Sequence, residues 1–188
     1  PGVDPTGIIR SIVVNFKNIG SGRRPVGAST ITQQVARNFF LTNEVSYIRK
    51  LKEVILAFRL EQTFTKDKIL QLYLNEIFFG KRSYGVAAAA LTYFDKPLDE
   101  LALEEMAYLA ALPKAPNNYD PERNYDMALI RRNWVIDRMV ENGYVSVIEG
   151  EMAKERPLQM HKRDSDQYVN FPYFAEEVRR LLLELYGE

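Results

Sequence analysis

Helix starts punctuate this sequence, and nothing in it offers a strand to set against them. Asp4 followed by Pro5 places a capping carboxylate before the first helical position, where a missing N–H is harmless. Thr30 with Gln33, and Ser146 with Glu149, have the spacing of capping boxes, in which a hydroxyl accepts from an early helix amide while the later side chain reaches back to the cap. Each such cap is worth roughly 1 kcal/mol. Thr65 opens a further helix, and Gly143 is placed as the C-cap of a run from Asp126 to Asn142. No segment alternates apolar and polar residues over the length of a strand, and no period repeats. The expected fold class is all-α.

Apolar spacing predicts how these helices pack. Ile8, Ile9, Ile12, Val13 and Phe16 give the first helix an apolar face. From Ser46 onward, Ile48, Leu51, Ile55 and Phe58 recur at helical spacing and predict one buried stripe, with Arg49, Lys50 and Glu53 on the opposite side at about 100° per residue. The helix after Thr65 carries Ile69, Leu70, Leu72, Tyr73, Leu74, Ile77 and Phe78 around most of its circumference, which predicts a buried helix with Asn75 inside it. Gly80 to Gly85 reads as a turn, Val86 to Leu91 as a small-residue helix at the centre of the fold, and Leu101 to Leu112 as a helix stopped by Pro113 and Pro116. The Gly- and Pro-bearing stretch from Gly20 to Ala28, with Arg23 and Arg24, reads as a loop.

Composition narrows the function. The 188 residues include 25 basic and 25 acidic side chains, so any polyanion must be held locally and a nucleic-acid partner is not expected. The absence of cysteine removes disulfides and thiol chemistry. The single histidine, His161, lies in the polar stretch HKRDSDQ and reads as a surface loop residue; alone it makes no metal cluster. No apolar run approaches the roughly 18–20 residues of a membrane span. The chain starts at Pro1 without an initiator methionine and reads as part of a longer protein whose upstream portion could hold an anchor and an export signal.

Chemistry concentrates between Gly27 and Glu53. Capping explains Thr30 and Gln33, but not the crowding of Ser29, Thr32, Gln34, Arg37 and Asn38 into the same two turns, where a surface helix more often carries Glu, Lys and Ala. Arg49, Lys50 and Glu53 are either a solvated face with an i,i+4 pair or, together with Arg37, a phosphate or pyrophosphate site, with arginine acting as a fork and lysine as a point charge.

Five blocks in order, GASTITQQVARN, RKLKE, KILQLYLNEIFFG, GVAAAALTYF and LAALPKAPNNYDP, spanning Gly27 to Pro121, resemble the motifs of the bacterial peptidoglycan glycosyltransferases, the transglycosylase domain of class A penicillin-binding proteins. The resemblance implies a lysozyme-like all-α fold with a larger lobe and a smaller membrane-facing one, and Phe39, Phe40 and Leu41 as membrane contacts beside basic residues. It implies residues 1–160 as the glycosyltransferase domain without its N-terminal catalytic motif, and residues 161–188 as loop and connector helix (Phe171 to Tyr186, containing FPYFAEEVRRLL) towards a covalently linked transpeptidase domain. The implied partners are lipid II, the nascent glycan chain and the membrane surface, at the periplasmic face of the bacterial inner membrane.

The implied reaction is attack by a sugar 4-hydroxyl on the anomeric carbon of the growing chain, with inversion and departure of undecaprenyl pyrophosphate. It needs a base for the hydroxyl and positive charge for the leaving group. The family's base is a glutamate just upstream of the position of Gly2, so this sequence is expected to lack it. By motif position, Arg37, Arg49 and Lys50 neutralise the pyrophosphate. Glu53 is the second carboxylate, assisting departure directly, through an ordered network, or by holding a divalent cation such as Mg2+. Ser29, Gln34 and Asn38 line the donor cleft. Many relatives carry Lys where this chain has Arg37, which keeps the cation and changes its geometry. Two alternatives are a lysozyme-like lytic enzyme, which needs an acid but no pyrophosphate site, and a non-catalytic module that binds lipid II or a partner protein.

Overall fold

The computed structural model describes residues 2–20, 22, 26–41, 46–161, 180–181 and 187. Among the described residues, eight α-helices and one short hairpin follow one another: α1 (Pro5–Lys17), α2 (Ile31–Phe40), α3 (Tyr47–Thr63), α4 (Lys66–Glu76), β1 (Phe78–Gly80), β2 (Ser83–Tyr84), α5 (Val86–Phe94), α6 (Leu103–Ala111), α7 (Pro121–Glu141) and α8 (Val147–Glu155). Short 3-10 turns at Leu98–Glu100 and Leu112–Lys114 flank α6. The all-α class is observed, and no described helix is long and apolar enough to cross a membrane. The connector helix expected over Phe171 to Tyr186 lies almost wholly outside the described residues, as do Arg23 and Arg24.

The caps form as their side chains require. The Asp4 carboxylate accepts from the Gly7 amide, and the Ser46 and Thr65 hydroxyls accept from Arg49 and Lys68. Thr30 and Gln33, and Ser146 and Glu149, exchange both bonds of a capping box. Helix α7 starts five residues before the expected Asp126, because Asp120 caps it and Pro121 occupies its first turn; a kink at Asn124 (φ −142°, ψ 62°) separates that turn from the rest.

Two cores lie on either side of α4. The larger gathers Phe79, Ala89, Ala90, Tyr93, Phe94, Tyr108, Leu109 and Leu112, with α5 central as its small residues predict. The Tyr93 and Tyr108 rings meet edge to face at 5.5 Å, and their hydroxyls donate to the carbonyls of Phe79 and Tyr119, each at 2.9 Å. The smaller core holds Val35, Ala36, Leu60 and Ile69 from α2, α3 and α4. Tyr73 packs against both. A third cluster of Ala107, Ile136 and Ala153 joins α6, α7 and α8.

Two expectations are corrected. The stripe Ile48, Leu51, Ile55 and Phe58 is exposed, and α3 turns Glu53, Ala57 and Leu60 inward instead. Helix α4 is not enclosed: Ile69 is its only fully buried residue, and Asn75 is exposed. Its outer apolar side chains face open surface, and Tyr73 and Leu74 line an apolar groove of about 530 Å³ reaching from Ile31 to Leu109. Arg132 is wholly buried and donates to the carbonyls of Lys154 (2.9 Å) and Arg156 (2.7 Å), tying α7 to the end of α8. Arg131 lies 4.0 Å from the centre of the Trp134 ring.

The stretch Gly80 to Gly85, read as a turn, contains a hairpin whose strands are too short to show alternation. Lys81 and Arg82 occupy the left-handed region at its tip (φ 45° and 60°), where a side chain costs roughly 1 kcal/mol per residue. Gly85 (φ 83°) is required where β2 meets α5, since a Cβ there would lie 2.5 Å from the Asn75 carbonyl oxygen.

Burial, foremost, raises the phenol pKa values of Tyr93 and Tyr108 well above the tyrosine norm, and the Asp120 charge adds to it. A group raised in this way contributes its full stability below its unfolded value of about 10 and loses it as pH rises beyond that. The melting temperature is therefore expected to fall steeply above about pH 10. A Tyr93→Phe, Tyr108→Phe variant, less stable at neutral pH by roughly 2 kcal/mol for two lost hydrogen bonds, should show a shallower decline when unfolding is followed by circular dichroism.

Candidate active site

The hydroxyls and amides around Thr30 divide into fasteners and free groups. Thr30 Oγ1 donates to the Gly2 carbonyl (2.8 Å) while accepting from the Gln33 amide (3.2 Å), so the cap of α2 also pins the chain near its start. Gly2 is buried against Ala57 of α3, at a distance a side chain would not permit without movement. Thr32 donates to Glu61 at 2.5 Å, and Lys66 pairs with the same carboxylate, which holds the Glu61 pKa below its usual range. Thr30, Thr32 and Gln33 are thereby committed to structure. Ser29 is not among them.

Lys50 donates 2.7 Å bonds to both Ser29 Oγ and Glu53 Oε2, linking the approach to α2 with the second turn of α3. Arg49 Nε faces Glu53 Oε1 from the other side at 3.5 Å. The Glu53 side chain is only 1% exposed, against 47% for that of Lys50. A carboxylate so buried persists as an anion only when compensated, and two cations compensate it. The 3.5 Å approach falls short of a hydrogen bond: Arg49 Nε and Glu53 Oε1 are both buried atoms without one. Each keeps bonding capacity in a site that excludes water.

Of the residues singled out in the sequence, the structure gathers Ser29, Arg49, Lys50 and Glu53 into one connected group. Gln34 and Arg37 are half-buried on α2 and Asn38 is exposed, with no hydrogen bond or ion pair to that group. The charge of Arg37 acts instead on the Tyr73 phenol, opposing the effect of burial. Tyr73 is the neighbour that motif reading missed; its place in a helix apolar on most sides gave no polar signal. Among the described residues no three His, Asp or Glu side chains are placed to hold a metal ion. Glu53 already answers two cations, so this donor set does not fit Mg2+.

A conserved-domain match decides the lineage: the family described as transglycosylase matches residues 1–140. The chain belongs to the transglycosylase family.

This transglycosylase chain is 50% identical over 186 residues to penicillin-binding protein 1A of Rickettsia bellii (strain RML369-C), covering 99% of the chain and 24% of the relative. It is 46% identical over 187 residues to penicillin-binding protein 1A of Escherichia coli (strain K12), covering 100% of the chain and 22% of the relative. A crystal structure of penicillin-binding protein 1A from Haemophilus influenzae matches with a TM-score of 0.49 and 36% identity, covering 88% of this chain and 22% of that one. The chain spans about a quarter of the length of the curated relatives it matches. With the family shown, the all-α, lysozyme-like class stands.

The electrostatics of the group are testable through stability. Lys50→Met leaves Arg49 to compensate Glu53, and Lys50 is half in solvent, so it should cost about 1 kcal/mol. Arg49→Met combined with Lys50→Met strands the carboxylate and should cost roughly 3 kcal/mol. Adding Glu53→Gln to that pair should recover most of the loss in urea unfolding.

Proposed function

We propose that this transglycosylase domain polymerises lipid II into β-1,4-linked glycan strands with release of undecaprenyl pyrophosphate. The observation that supports it best is the buried Glu53 carboxylate held between Lys50 and Arg49, with Ser29 on the far side of the lysine. A lytic enzyme needs a proton donor at the glycosidic oxygen and has no use for a cationic pocket. A transferase that expels a pyrophosphate needs one.

In this reading the incoming 4-hydroxyl attacks the anomeric carbon of the growing chain as the bond to the pyrophosphate oxygen breaks, and the configuration inverts. Lys50, half in solvent at the edge of the group, meets the leaving group first. Arg49 follows through the donor capacity its weak pairing with Glu53 leaves unused, and Arg37 approaches from α2. Glu53 holds both cations in place and aims them at the departing oxygen. Ser29, Gln34 and Asn38 line the donor side. The base is a carboxylate upstream of Gly2; the anchoring of Gly2 on α3, one helical turn from Glu53 at Ala57, supports its delivery to this cleft. Residues 161–188 then lead towards a transpeptidase domain.

A membrane surface is the second partner. Ile9, Ile12 and Phe16 on α1, Phe39 and Phe40 on α2, and Ile48, Leu51, Ile55 and Phe58 on α3 are all exposed. A water-facing helix does not place four apolar residues in one row, whereas an interfacial helix does. This supports a place on the periplasmic face of the bacterial inner membrane, where a lipid-linked substrate is met. Leu51→Ser with Phe58→Ser should leave the melting temperature nearly unchanged and reduce co-sedimentation with anionic phospholipid vesicles several-fold.

Polymerisation of fluorescent lipid II, by this chain and by a version extended upstream, tests the whole reading. Activity is expected in the extended form only. Glu53→Gln in that form should lower the rate by about 100-fold or more, in line with loss of a preorganised electrostatic group. Retention of most of the rate would remove Glu53 from the mechanism, and cleavage of preformed glycan by the extended form would favour the lytic alternative.

A further inference from the structure

The hairpin after α4 presents a cation for which the fold has no use. Two-residue turns with both residues in the left-handed region strongly favour Asn and Gly, because a Cβ crowds the backbone there. Here the two are Lys81 and Arg82. Lys81 has a structural reason: its ammonium lies 2.9 Å from Glu122 and 3.7 Å from Asp120, and 5.6 Å from the centre of the Tyr93 ring. Arg82 has none. It is exposed and makes no hydrogen bond, ion pair or ring contact with any described residue. A strained position kept by an unpartnered side chain points to a role outside the fold.

Its surroundings indicate which role. Tyr84, two residues further on, is 65% exposed, and its ring centre lies 5.0 Å from that of its cross-strand partner Phe78. Asn75 ends α4 against the same hairpin, its carbonyl oxygen pressed on Gly85, while its side chain is exposed and makes no hydrogen bond with the described residues. An exposed aromatic ring and a guanidinium without a partner among the described residues thus stand on the hairpin, and an exposed amide stands near the end of the helix that abuts it. An aromatic face takes the C–H side of a pyranose, an amide answers its hydroxyls, and a guanidinium forks a carboxylate.

We propose that this junction is a subsite for an anionic glycan, with Tyr84 and Phe78 stacking a sugar ring, Asn75 bonding its hydroxyls and Arg82 pairing with a carboxylate carried by the strand. The inference rests on the polymerase reading for the identity of that glycan, a growing strand whose peptide stems end in free carboxylates. The subsite lies apart from the Glu53 group and acts by holding polymer.

The test is calorimetric titration of the upstream-extended protein with a lipid-free, pyrophosphate-free tetrasaccharide bearing pentapeptide stems. Wild type is expected to bind it, with Arg82→Gly and Tyr84→Ala each weakening affinity about five- to tenfold. Arg82→Gly also relaxes the left-handed backbone, so its melting temperature should equal or exceed that of wild type while its affinity falls, a combination that a structural role for Arg82 does not produce. Amidating the stem carboxylates should lower wild-type affinity to the Arg82→Gly value and leave the variant unaffected. Unchanged affinity in Arg82→Gly, or equal loss for the acidic stem peptide without sugars in Tyr84→Ala, would overturn the proposal. Lipid II polymerisation, run alongside, separates the two readings. A wild type that polymerises while both variants bind as it does overturns the subsite alone, and one that binds the tetrasaccharide through Arg82 without polymerising overturns the transferase reading alone.

Discussion

A carboxylate removed from water must be answered by positive charge, and in this protein that requirement organises the ground around it. Glu53 sits on the inward face of α3, and Lys50, one turn earlier, reaches it and Ser29 together. The bond to Ser29 fixes the approach to α2 relative to α3. Directly after Ser29, Thr30 with Gln33 locks the start of α2 and, through Gly2, the start of the described chain. Electrostatic compensation and helix capping therefore act on the same few residues. The group is buried at Glu53 and open at the Lys50 edge.

The helices place this group at the side of the structure with the least apolar burial. The core of α5, α6 and α7 is built on two interlocked tyrosines, whose buried hydroxyls each find a backbone carbonyl. The core of α2, α3 and α4 is far smaller. Its scarcity of buried apolar contact follows from where α1 and α3 send their apolar side chains, which is outward. Apolar side chains left facing outward add no burial to that core. Tyr73, in contact with both cores and under the charge of Arg37, is the residue through which the two parts share packing.

The helix caps were legible because capping is a local interaction: Asp4, Thr30, Thr65 and Ser146 each accept from an amide three residues away, and no distant contact intervenes. The central place of α5 was legible too, since small side chains permit close approach on every side. The grouping of Arg49, Lys50 and Glu53 on one face followed from helical geometry alone. Its burial did not. Periodicity shows that Ile48, Leu51, Ile55 and Phe58 share a stripe, and water makes the interior the default place for such a stripe; here α3 turns Glu53, Ala57 and Leu60 inward and leaves the stripe outside. Asn75 was misplaced for the same reason, on a helix whose apolar girth faces a groove and open surface as well as core.

Local sequence was enough for most of the described helices and their caps, though not for the start of α7 at Pro121, and for which cations and carboxylate share one face, because these follow from bonds and rotations within a few residues. Tertiary packing set which face of α3 turns inward, that Lys50 bridges Ser29 and Glu53, that Arg132 is spent on the end of α8, and that Arg82 has no partner among the described residues. Those outcomes depend on contacts between residues far apart in the chain, whose energies are set by burial and by the charge of whatever packs alongside. No window of neighbouring residues carries that information.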